Sequence, residues 1–317
     1  MKAIVQVKYG SPEALELKEI DKPVIKDTQV LVRVHAAGVN PLDWHFVRGQ
    51  PYIARLALGL PRPKNGVRGV DVAGHIEAVG KNVRQYQAGD EVFGACDGAF
   101  AEYAPAGEDM VVPKPANLTF DQAAAVPVAA VTALQALRDV GKLQSGQKVL
   151  INGAAGGVGT FAVQIAKSFG ADVTAVCSTR NVELVRSIGA DHVVDYTRED
   201  FTRSGLHYDV VLDNAGSHSL GEYRRVLAAD GTLIMNSGAA LGTMAAGRML
   251  SPFVRQKLRS FLAKLNREDL IVLCKLIEAG KLTPVIDRTY PLSQTPAAIG
   301  YVEAGHARGK VVITVRS

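Results

Sequence analysis

The sequence is poor in cysteine. Its 317 residues include only three cysteines, Cys96, Cys177 and Cys274, and no two of them form a Cys-x-x-Cys pair. An odd number of widely spaced cysteines is typical of proteins from reducing compartments, where disulfides do not persist. We therefore expect a cytoplasmic location and no disulfide framework.

Long apolar runs and strong net charge are also lacking. No apolar run approaches the roughly 18 residues that a membrane helix needs, and the N-terminus has no secretory signal pattern. The net charge is only +5, and the basic residues are scattered apart from a modest cluster between Arg248 and Arg267. These features predict no membrane partner and no nucleic acid partner, but they are compatible with a phosphate-bearing ligand.

Two different hydrophobic patterns divide the chain. Residues 1–122 and 286–317 carry short alternating apolar runs broken by Gly, Pro and Asp, which predict an antiparallel, barrel-like β domain. Between residues 123 and 285 strands alternate with helices, which predicts an α/β domain with a doubly wound parallel sheet. Within it, the basic, amphipathic stretch Met244–Arg267 predicts a surface helix with one face on the sheet.

The strongest motif is a glycine-rich turn between a predicted strand and a predicted helix. Glycine permits tight backbone turns, and the free amides at a helix N-terminus attract an anion such as a pyrophosphate. No lysine follows the last glycine, which disfavours nucleotide hydrolysis. The predicted dinucleotide contacts of this turn are Gly153, Ala154, Ala155, Gly156, Gly157, Val158 and Gly159.

The end of the following strand suggests which dinucleotide binds. NAD-binding chains usually place an acidic residue there, whereas this chain has Ser178, Thr179 and Arg180, which could bind a 2′-phosphate. We therefore predict NADPH as the cofactor, although Ser178 and Thr179 could also serve as helix caps. Because parallel sheets bind ligands at their carboxyl edge, four residues after later strands are further candidates: Asn214, Gly216, Ser237 and Gly238.

Several motifs outside the turn resemble the medium-chain dehydrogenase/reductase superfamily. They are VHAAGVNPLDWHFVRG (34–49), GVDVAGHIEAVG (69–80), GDEVFG (89–94), AAAVPVAAVTALQAL (123–137), SIGADHVVDY (187–196) and ARGKVVITV (307–315). The sequence is most similar to the zinc-independent quinone oxidoreductase branch, which resembles zeta-crystallin. This resemblance implies a GroES-like catalytic domain over 1–122 and 286–317, a Rossmann-type NADP-binding domain over 123–285, and a homodimer.

The resemblance also implies that no metal is bound. Zinc alcohol dehydrogenases that resemble this chain have ligands at positions corresponding to Asn40, Val70-Asp71 and Val128, which cannot supply the thiolates and imidazole that zinc prefers. Cys96 stands alone where the family's structural zinc lobe has four cysteines. Alcohol oxidation is therefore disfavoured, since no Lewis acid is available to polarise an alcohol.

Hydride transfer to a quinone or another α,β-unsaturated carbonyl remains as the implied reaction. The resemblance places the substrate cleft near Asn40, a candidate donor to the carbonyl oxygen that could otherwise be a turn residue. His45 is a candidate proton donor, Trp44 a cleft wall or indole donor, and Arg48 and Tyr52 are further candidate substrate contacts.

The resemblance implies three further cofactor contacts, each with a structural alternative. Thr132 is expected beside the nicotinamide ribose and Tyr196 along the 2′-phosphate, although both hydroxyls could instead bond buried backbone groups. Lys310 could contact the cofactor or be a surface lysine before a strand. Two other functions stay open: an enoyl or alkenal double-bond reductase, and a nonenzymatic NADPH-binding protein that binds RNA or a protein partner.

Overall fold

The computed structural model describes residues 1–64, 66–236 and 255–316. In chain order its strands are β1 (Lys2–Gln6), β2 (Leu15–Glu19), β3 (Gln29–Val39), β4 (Asp71–Val79), β5 (Glu91–Ala95), β6 (Tyr103–Gly107), β7 (Val111–Pro113), β8 (Lys148–Asn152), β9 (Asp172–Cys177), β10 (His192–Asp195), β11 (Tyr208–Asp213), β12 (Leu227–Met235), β13 (Lys257–Ser260), β14 (Ile286–Pro291) and β15 (Lys310–Thr314).

The helices are named in the same way. They are α1 (Pro41–Arg48), α2 (Arg55–Leu58), α3 (Phe120–Ala124), α4 (Pro127–Gln135), α5 (Gly157–Ser168), α6 (Val182–Ser187), α7 (Leu220–Arg225), α8 (Arg267–Glu278) and α9 (Thr295–Glu303). Among the described helices, none is long and apolar enough to cross a membrane.

The chain divides into two compact units. The first unit comprises Met1–Ala129, Leu265–Glu278 and Pro284–Ser317, and the second comprises Ala130–Lys264 and Ala279–Thr283. This division differs from the predicted boundaries chiefly at α8, which lies in the first unit although we had placed it in the nucleotide domain.

Polar contacts account for the position of α8. The Arg267 guanidinium at its start donates to Tyr86 Oη at 2.5 Å and to the Val111 carbonyl at 2.7 Å. Near its end, the Asn117 side chain donates to the Ile277 carbonyl at 2.9 Å. Long-range contacts of this kind leave no signal in the local sequence pattern.

The first unit is built on a seven-stranded sheet, as expected for a GroES-like domain. The strand order is β14-β15-β3-β4-β5-β7, with β6 also paired to β3, and every pair is antiparallel except β14 with β15. Gly38 of β3 lies opposite Asp71 of β4, and Val39 lies opposite Val311 of β15. The end of β3, the start of β4 and the start of β15 therefore meet.

The second unit has a six-stranded parallel sheet with the order β10-β9-β8-β11-β12-β13. This is the Rossmann order, in which the first strand of the unit is central and the strand order reverses beside it. The carboxyl ends of β8, β9 and β11 therefore lie side by side. The predicted parallel sheet is confirmed.

One predicted element is wrong. We expected a surface helix over Met244–Arg267, but Lys257–Ser260 is a strand that extends the sheet beside β12. In this strand Leu258 is buried and its neighbours are exposed, which is a pattern too short to distinguish from one turn of an amphipathic helix. Residues 244–254 of the predicted helix lie outside the described part of the chain.

Candidate functional site

Glycine is required at two positions of the turn between β8 and α5. Gly153 has a φ of 75°, a conformation that other residues rarely adopt. At Gly159 a Cβ atom would lie 2.1 Å from the Gly153 carbonyl oxygen, so a side chain would force the turn apart. Gly156, the N-cap of α5, has no side chain to cover the first amides of the helix. This glycine cradle fits the pyrophosphate of a dinucleotide.

The other predicted contacts of the turn differ in how far they are exposed. Ala154 and Ala155 are buried, whereas Gly157 and Val158 are half-buried at the start of α5. The helix that follows buries every residue from Gly159 to Ala166, which anchors the cradle in the second unit. The predicted strand, turn and helix are thus present in the required order.

The predicted 2′-phosphate contacts follow β9. Thr179 and Arg180 are exposed and Ser178 is half-buried. The Ser178 hydroxyl oxygen accepts a bond from the Asn181 side chain at 3.3 Å, and the group can still donate its own proton. The Thr179 hydroxyl instead donates to Asp195 Oδ2 at 2.5 Å, so its proton is already engaged.

Asp195 is a carboxylate that the sequence argument overlooked. It ends β10, opposite Cys177 at the end of β9. Hydrogen bonds from Thr179 and Thr197 hold the pKa of Asp195 below its ordinary value, so the group is ionised at neutral pH. Arg198 lies 3.4 Å from the same carboxylate and partly balances its charge. Residues 178–180, which follow β9, contain no carboxylate, as the sequence shows. Asp195 at the end of the neighbouring strand nevertheless brings one to the same edge of the sheet.

Other predicted cofactor residues lie at the same edge of the parallel sheet. Tyr196 is exposed, and its backbone amide donates to the Cys177 carbonyl at 3.0 Å. Gly216 has a φ of 65°, and its amide donates to Asp213 Oδ1 at 2.9 Å. Asn214 accepts a bond from Asn236 at 2.8 Å. These contacts fix the loop after β11 at the end of the sheet.

Three of the remaining predicted cofactor contacts are Thr132, Ser237 and Gly238. Thr132 is buried in α4, and its contact with the nicotinamide ribose stays a prediction. Ser237 and Gly238 lie outside the described residues.

The first unit contains a buried polar cluster around Asn40. The Asn40 side chain is 3% exposed; its Nδ2 donates to Asp71 Oδ2 at 2.9 Å, and its Oδ1 accepts from Lys310 Nζ at 2.5 Å. Asp71 Oδ1 accepts from the Val128 amide at 3.0 Å. Burial raises the pKa of Asp71, an effect that the neighbouring Lys310 ammonium opposes.

Lys310 is not a surface lysine. Its side chain is 2% exposed, and its ammonium donates to Asn40, to the Val39 carbonyl at 3.2 Å and to Asp71 at 3.4 Å. β15 brings Lys310 beside the end of β3, where these acceptors lie. The alternative of an exposed lysine is therefore wrong, and a contact with the cofactor stays a prediction.

A second buried carboxylate lies beside Asn40. Asp43 Oδ2 accepts from the Asn40 backbone amide at 2.7 Å, which helps to start α1. Asp43 Oδ1 is fully buried and has no hydrogen-bond partner among the described residues. Burial raises the pKa of Asp43 to about 7, so it carries a proton for part of the time at neutral pH.

His45 and Trp44 stack against each other in α1, with ring centroids 3.5 Å apart. Trp44 is half-buried and packs against the apolar core of the first unit, as a wall residue would. Burial lowers the pKa of His45, so its imidazole is neutral at pH 7. His45 Nδ1 is buried without a hydrogen-bond partner among the described residues.

The other two predicted substrate contacts have different surroundings. Arg48 forms a bidentate ion pair with Glu303 through Nε and Nη2, which ties α1 to α9 and commits two of its N–H groups to a protein partner. Tyr52 is 67% exposed, and the Arg55 guanidinium lies 4.8 Å from its ring centroid. Both assignments to substrate binding stay predictions.

Known proteins match both units. Residues 26–116 match the family model described as Alcohol dehydrogenase GroES-like domain, and residues 188–313 match the one described as Zinc-binding dehydrogenase. The Mus musculus protein named NAD(P)H oxidoreductase RTN4IP1, mitochondrial, is 37% identical over 99% of this chain and 89% of its own length. The chain belongs to the quinone oxidoreductase branch of the medium-chain dehydrogenase/reductase superfamily.

Two other relatives extend this comparison. The Arabidopsis thaliana NADPH-dependent alkenal/one oxidoreductase, chloroplastic, is 36% identical over 99% of this chain and 79% of its own. The solved quinone oxidoreductase from Coxiella burnetii is 33% identical, with a TM-score of 0.90 over 100% of this chain and 99% of the other. As a member of this family, the chain is an NAD(P)H-dependent oxidoreductase.

The donor set of this family member does not fit zinc. At the positions where the resemblance implies zinc ligands, the chain has the Asn40 amide, the Asp71 carboxylate and the Val128 backbone. Both oxygens of Asp71 already accept hydrogen bonds, and the Asn40 oxygen faces the Lys310 ammonium. Such a set offers neither thiolate nor imidazole and already contains a cation. Among the described residues, no cluster of three His, Cys, Asp or Glu could hold a metal.

Sequence reasoning missed how several residues combine. It selected Asn40 and Lys310 separately and treated Asp71 only as a lost zinc ligand, whereas the structure joins the three. It also missed Asp213, which accepts from Asn152 at 3.0 Å and from two amides of the loop that follows. An acidic residue directly at the end of a predicted parallel strand was the available signal for Asp213 and for Asp195.

Proposed function

We propose that the protein is an NADPH-dependent reductase that passes hydride to a quinone or another α,β-unsaturated carbonyl without zinc. The glycine cradle at the end of β8 is the observation that carries the proposal, because Gly159 admits no side chain and α5 presents its first amides to an anion. The relatives named as quinone and alkenal/one oxidoreductases support this substrate class.

The proposed chemistry asks little of the side chains. Bound NADPH supplies a hydride from its nicotinamide ring. Quinones and enones are already polarised, and hydride addition builds negative charge on a carbonyl oxygen, which N–H donors can stabilise. Asn40 has a second N–H on Nδ2 for this purpose, and the neutral imidazole of His45 is the candidate proton carrier.

NADPH rather than NADH is the cofactor we propose. Arg180 supplies a positive charge and Ser178 a hydroxyl just after β9, where a 2′-phosphate would need them. The opposing charge of Asp195 is held by two threonine hydroxyls and by Arg198. The balance favours a phosphate, although less strongly than a site without Asp195 would.

Steady-state kinetics test the proposal. We expect oxidation of NADPH by small quinones and enones, a kcat/KM for NADPH at least about tenfold above that for NADH, and no effect of a zinc chelator. Analysis of the enone products shows whether the carbon–carbon double bond is reduced. Loss of turnover with the chelator would contradict the proposal. NADPH binding without turnover of any acceptor would instead support a nonenzymatic role.

We also propose that the protein is a cytoplasmic homodimer that binds no nucleic acid. The odd number of widely spaced cysteines supports the location. Light scattering on the purified protein tests the dimer, and a mass of one chain would contradict it.

A further inference from the structure

We propose that Lys310 and Asp71 act through Asn40: the buried ion pair orients and polarises the Asn40 carboxamide so that its remaining N–H stabilises the charge on the substrate's carbonyl oxygen. This inference rests on the proposed function and assigns a positioning role to two residues that do not themselves contact substrate.

The ammonium of Lys310 is fully used inside the protein. Its three donors correspond to the three acceptors at hand: Asn40 Oδ1 at 2.5 Å, the Val39 carbonyl at 3.2 Å and Asp71 Oδ2 at 3.4 Å. A lysine at 2% exposure with this arrangement is held in a single position. It therefore places a fixed positive charge against one atom of Asn40.

The two charges determine which way the Asn40 amide faces. Its oxygen lies against the ammonium and its nitrogen against the Asp71 carboxylate. Flipping the amide would put NH₂ against a cation and oxygen against an anion, which is unfavourable twice over. The ion pair thus holds Asn40 so that one of its two Nδ2 hydrogens bonds to Asp71. The second Nδ2 hydrogen stays available as a donor.

The same contact strengthens that donor. A carbonyl oxygen that accepts from a cation draws electron density from the amide nitrogen, so the remaining N–H becomes a better hydrogen-bond donor. Donors already aimed at a developing oxyanion are the principal metal-free means of stabilising it. Lys310 therefore supplies, through Asn40, part of the positive polarisation that a metal would otherwise give.

Stability alone does not explain a buried ion pair at this position. Replacing such pairs by uncharged side chains is often neutral or even stabilising, because removing two charges from water is costly. The backbone packs closely around this pair: a Cβ on Gly38 would lie 2.4 Å from the Ala124 carbonyl oxygen and 2.9 Å from Asp71 Oδ2. Positioning of Asn40 gives the pair a function that an apolar pair could not fulfil.

The first test removes the charge of Lys310. Lys310→Met should lower kcat at least about tenfold, while KM for NADPH stays within about twofold. Lys114→Met is the matched control, since Lys114 is also a buried lysine of the first unit that contacts a carboxylate, Glu91, and two carbonyls. We expect Lys114→Met to keep its kcat. If Lys310→Met keeps its kcat as well, the proposal is wrong.

The second test distinguishes action through Asn40 from general damage. In an Asn40→Ala background, Lys310→Met should cause little further loss of kcat, whereas independent effects would multiply. Multiplied effects would overturn the proposal.

A third variant covers the case in which an unpaired Asp71 prevents folding. Asp71→Asn/Lys310→Met carries neither charge, and it should fold and show the same loss of kcat. Wild-type kcat in this double variant would overturn the inference. Absence of any quinone or enone turnover by the wild-type protein would instead refute the proposed function.

Discussion

Thr179 donates its hydroxyl proton to Asp195, and this bond joins the ends of two neighbouring strands, β9 and β10. The bond has two effects on the expected cofactor site. It removes Thr179 as a donor to a phosphate, and it holds a negative charge next to the residues that follow β9. The proposed preference for NADPH would therefore come mainly from Ser178 and Arg180.

Neutralising Asp195 should increase the preference for NADPH. In Asp195→Asn we expect the ratio of kcat/KM for NADPH to that for NADH to rise about fivefold, since loss of a nearby carboxylate relieves repulsion of about 1 kcal/mol. Asp200→Asn is the matched control, because Asp200 accepts from Thr202 as Asp195 does from Thr197 but caps the turn Phe201–Arg203. An unchanged ratio in Asp195→Asn would show that the 2′-phosphate does not lie near this carboxylate.

Removing the charge of Arg180 should have the opposite effect. A hydrogen bond to a charged group contributes about 1.5–3 kcal/mol, so Arg180→Ala should lower kcat/KM for NADPH about 10- to 100-fold. Its kcat/KM for NADH should change little, since NADH lacks the phosphate. Arg186→Ala is the control, because Arg186 pairs with Glu183 on α6 at 3.0 Å. Equal losses with both cofactors would mean that Arg180 supports the fold rather than the phosphate.

The sequence predicted the second unit well because its signals are local. An apolar strand, a glycine turn and an amphipathic helix follow one another within residues 147–169, so β8 and α5 could be placed from their order alone. β13 was missed because only Leu258 marks it as half-buried, and its pairing with β12 is a tertiary contact.

The candidate site was predictable only residue by residue. Asn40 and Lys310 are separated by 270 positions, and only the pairing of β15 with β3 brings them together. The same holds for Arg48. Its predicted substrate contact did not take Glu303 into account, which is 255 residues away and pairs with the charge of the Arg48 guanidinium. The sequence indicated which side chains carry suitable chemical groups. It did not indicate which residues they contact, because those contacts depend on strand pairing that no local pattern encodes.

Gly159 provides a test of the glycine cradle. In Gly159→Ala the new Cβ would lie 2.1 Å from the Gly153 carbonyl and 2.7 Å from Ala154, so the turn must shift. We expect the Kd for NADPH, measured by calorimetry, to rise at least about tenfold. Gly221→Ala in α7 is the control, since a Cβ there meets no atom within 4 Å, and it should bind NADPH as the wild type does. Wild-type affinity in Gly159→Ala would place the nucleotide elsewhere.

Asp43 should make the stability of the protein fall as pH rises. Burial raises its pKa to about 7 in the folded chain, above its ordinary value of 3.8, so the folded state binds the proton more tightly than the unfolded state. The stabilisation is therefore complete below about pH 4 and is lost as pH rises towards 7. Asp43→Asn keeps an oxygen to accept from the Asn40 amide but does not titrate. Between pH 5 and pH 8 the unfolding free energy of the wild type should fall relative to that of Asp43→Asn by about 2–3 kcal/mol. Urea denaturation at each pH measures this difference, and parallel profiles for the two proteins would show that Asp43 is ionised throughout the range.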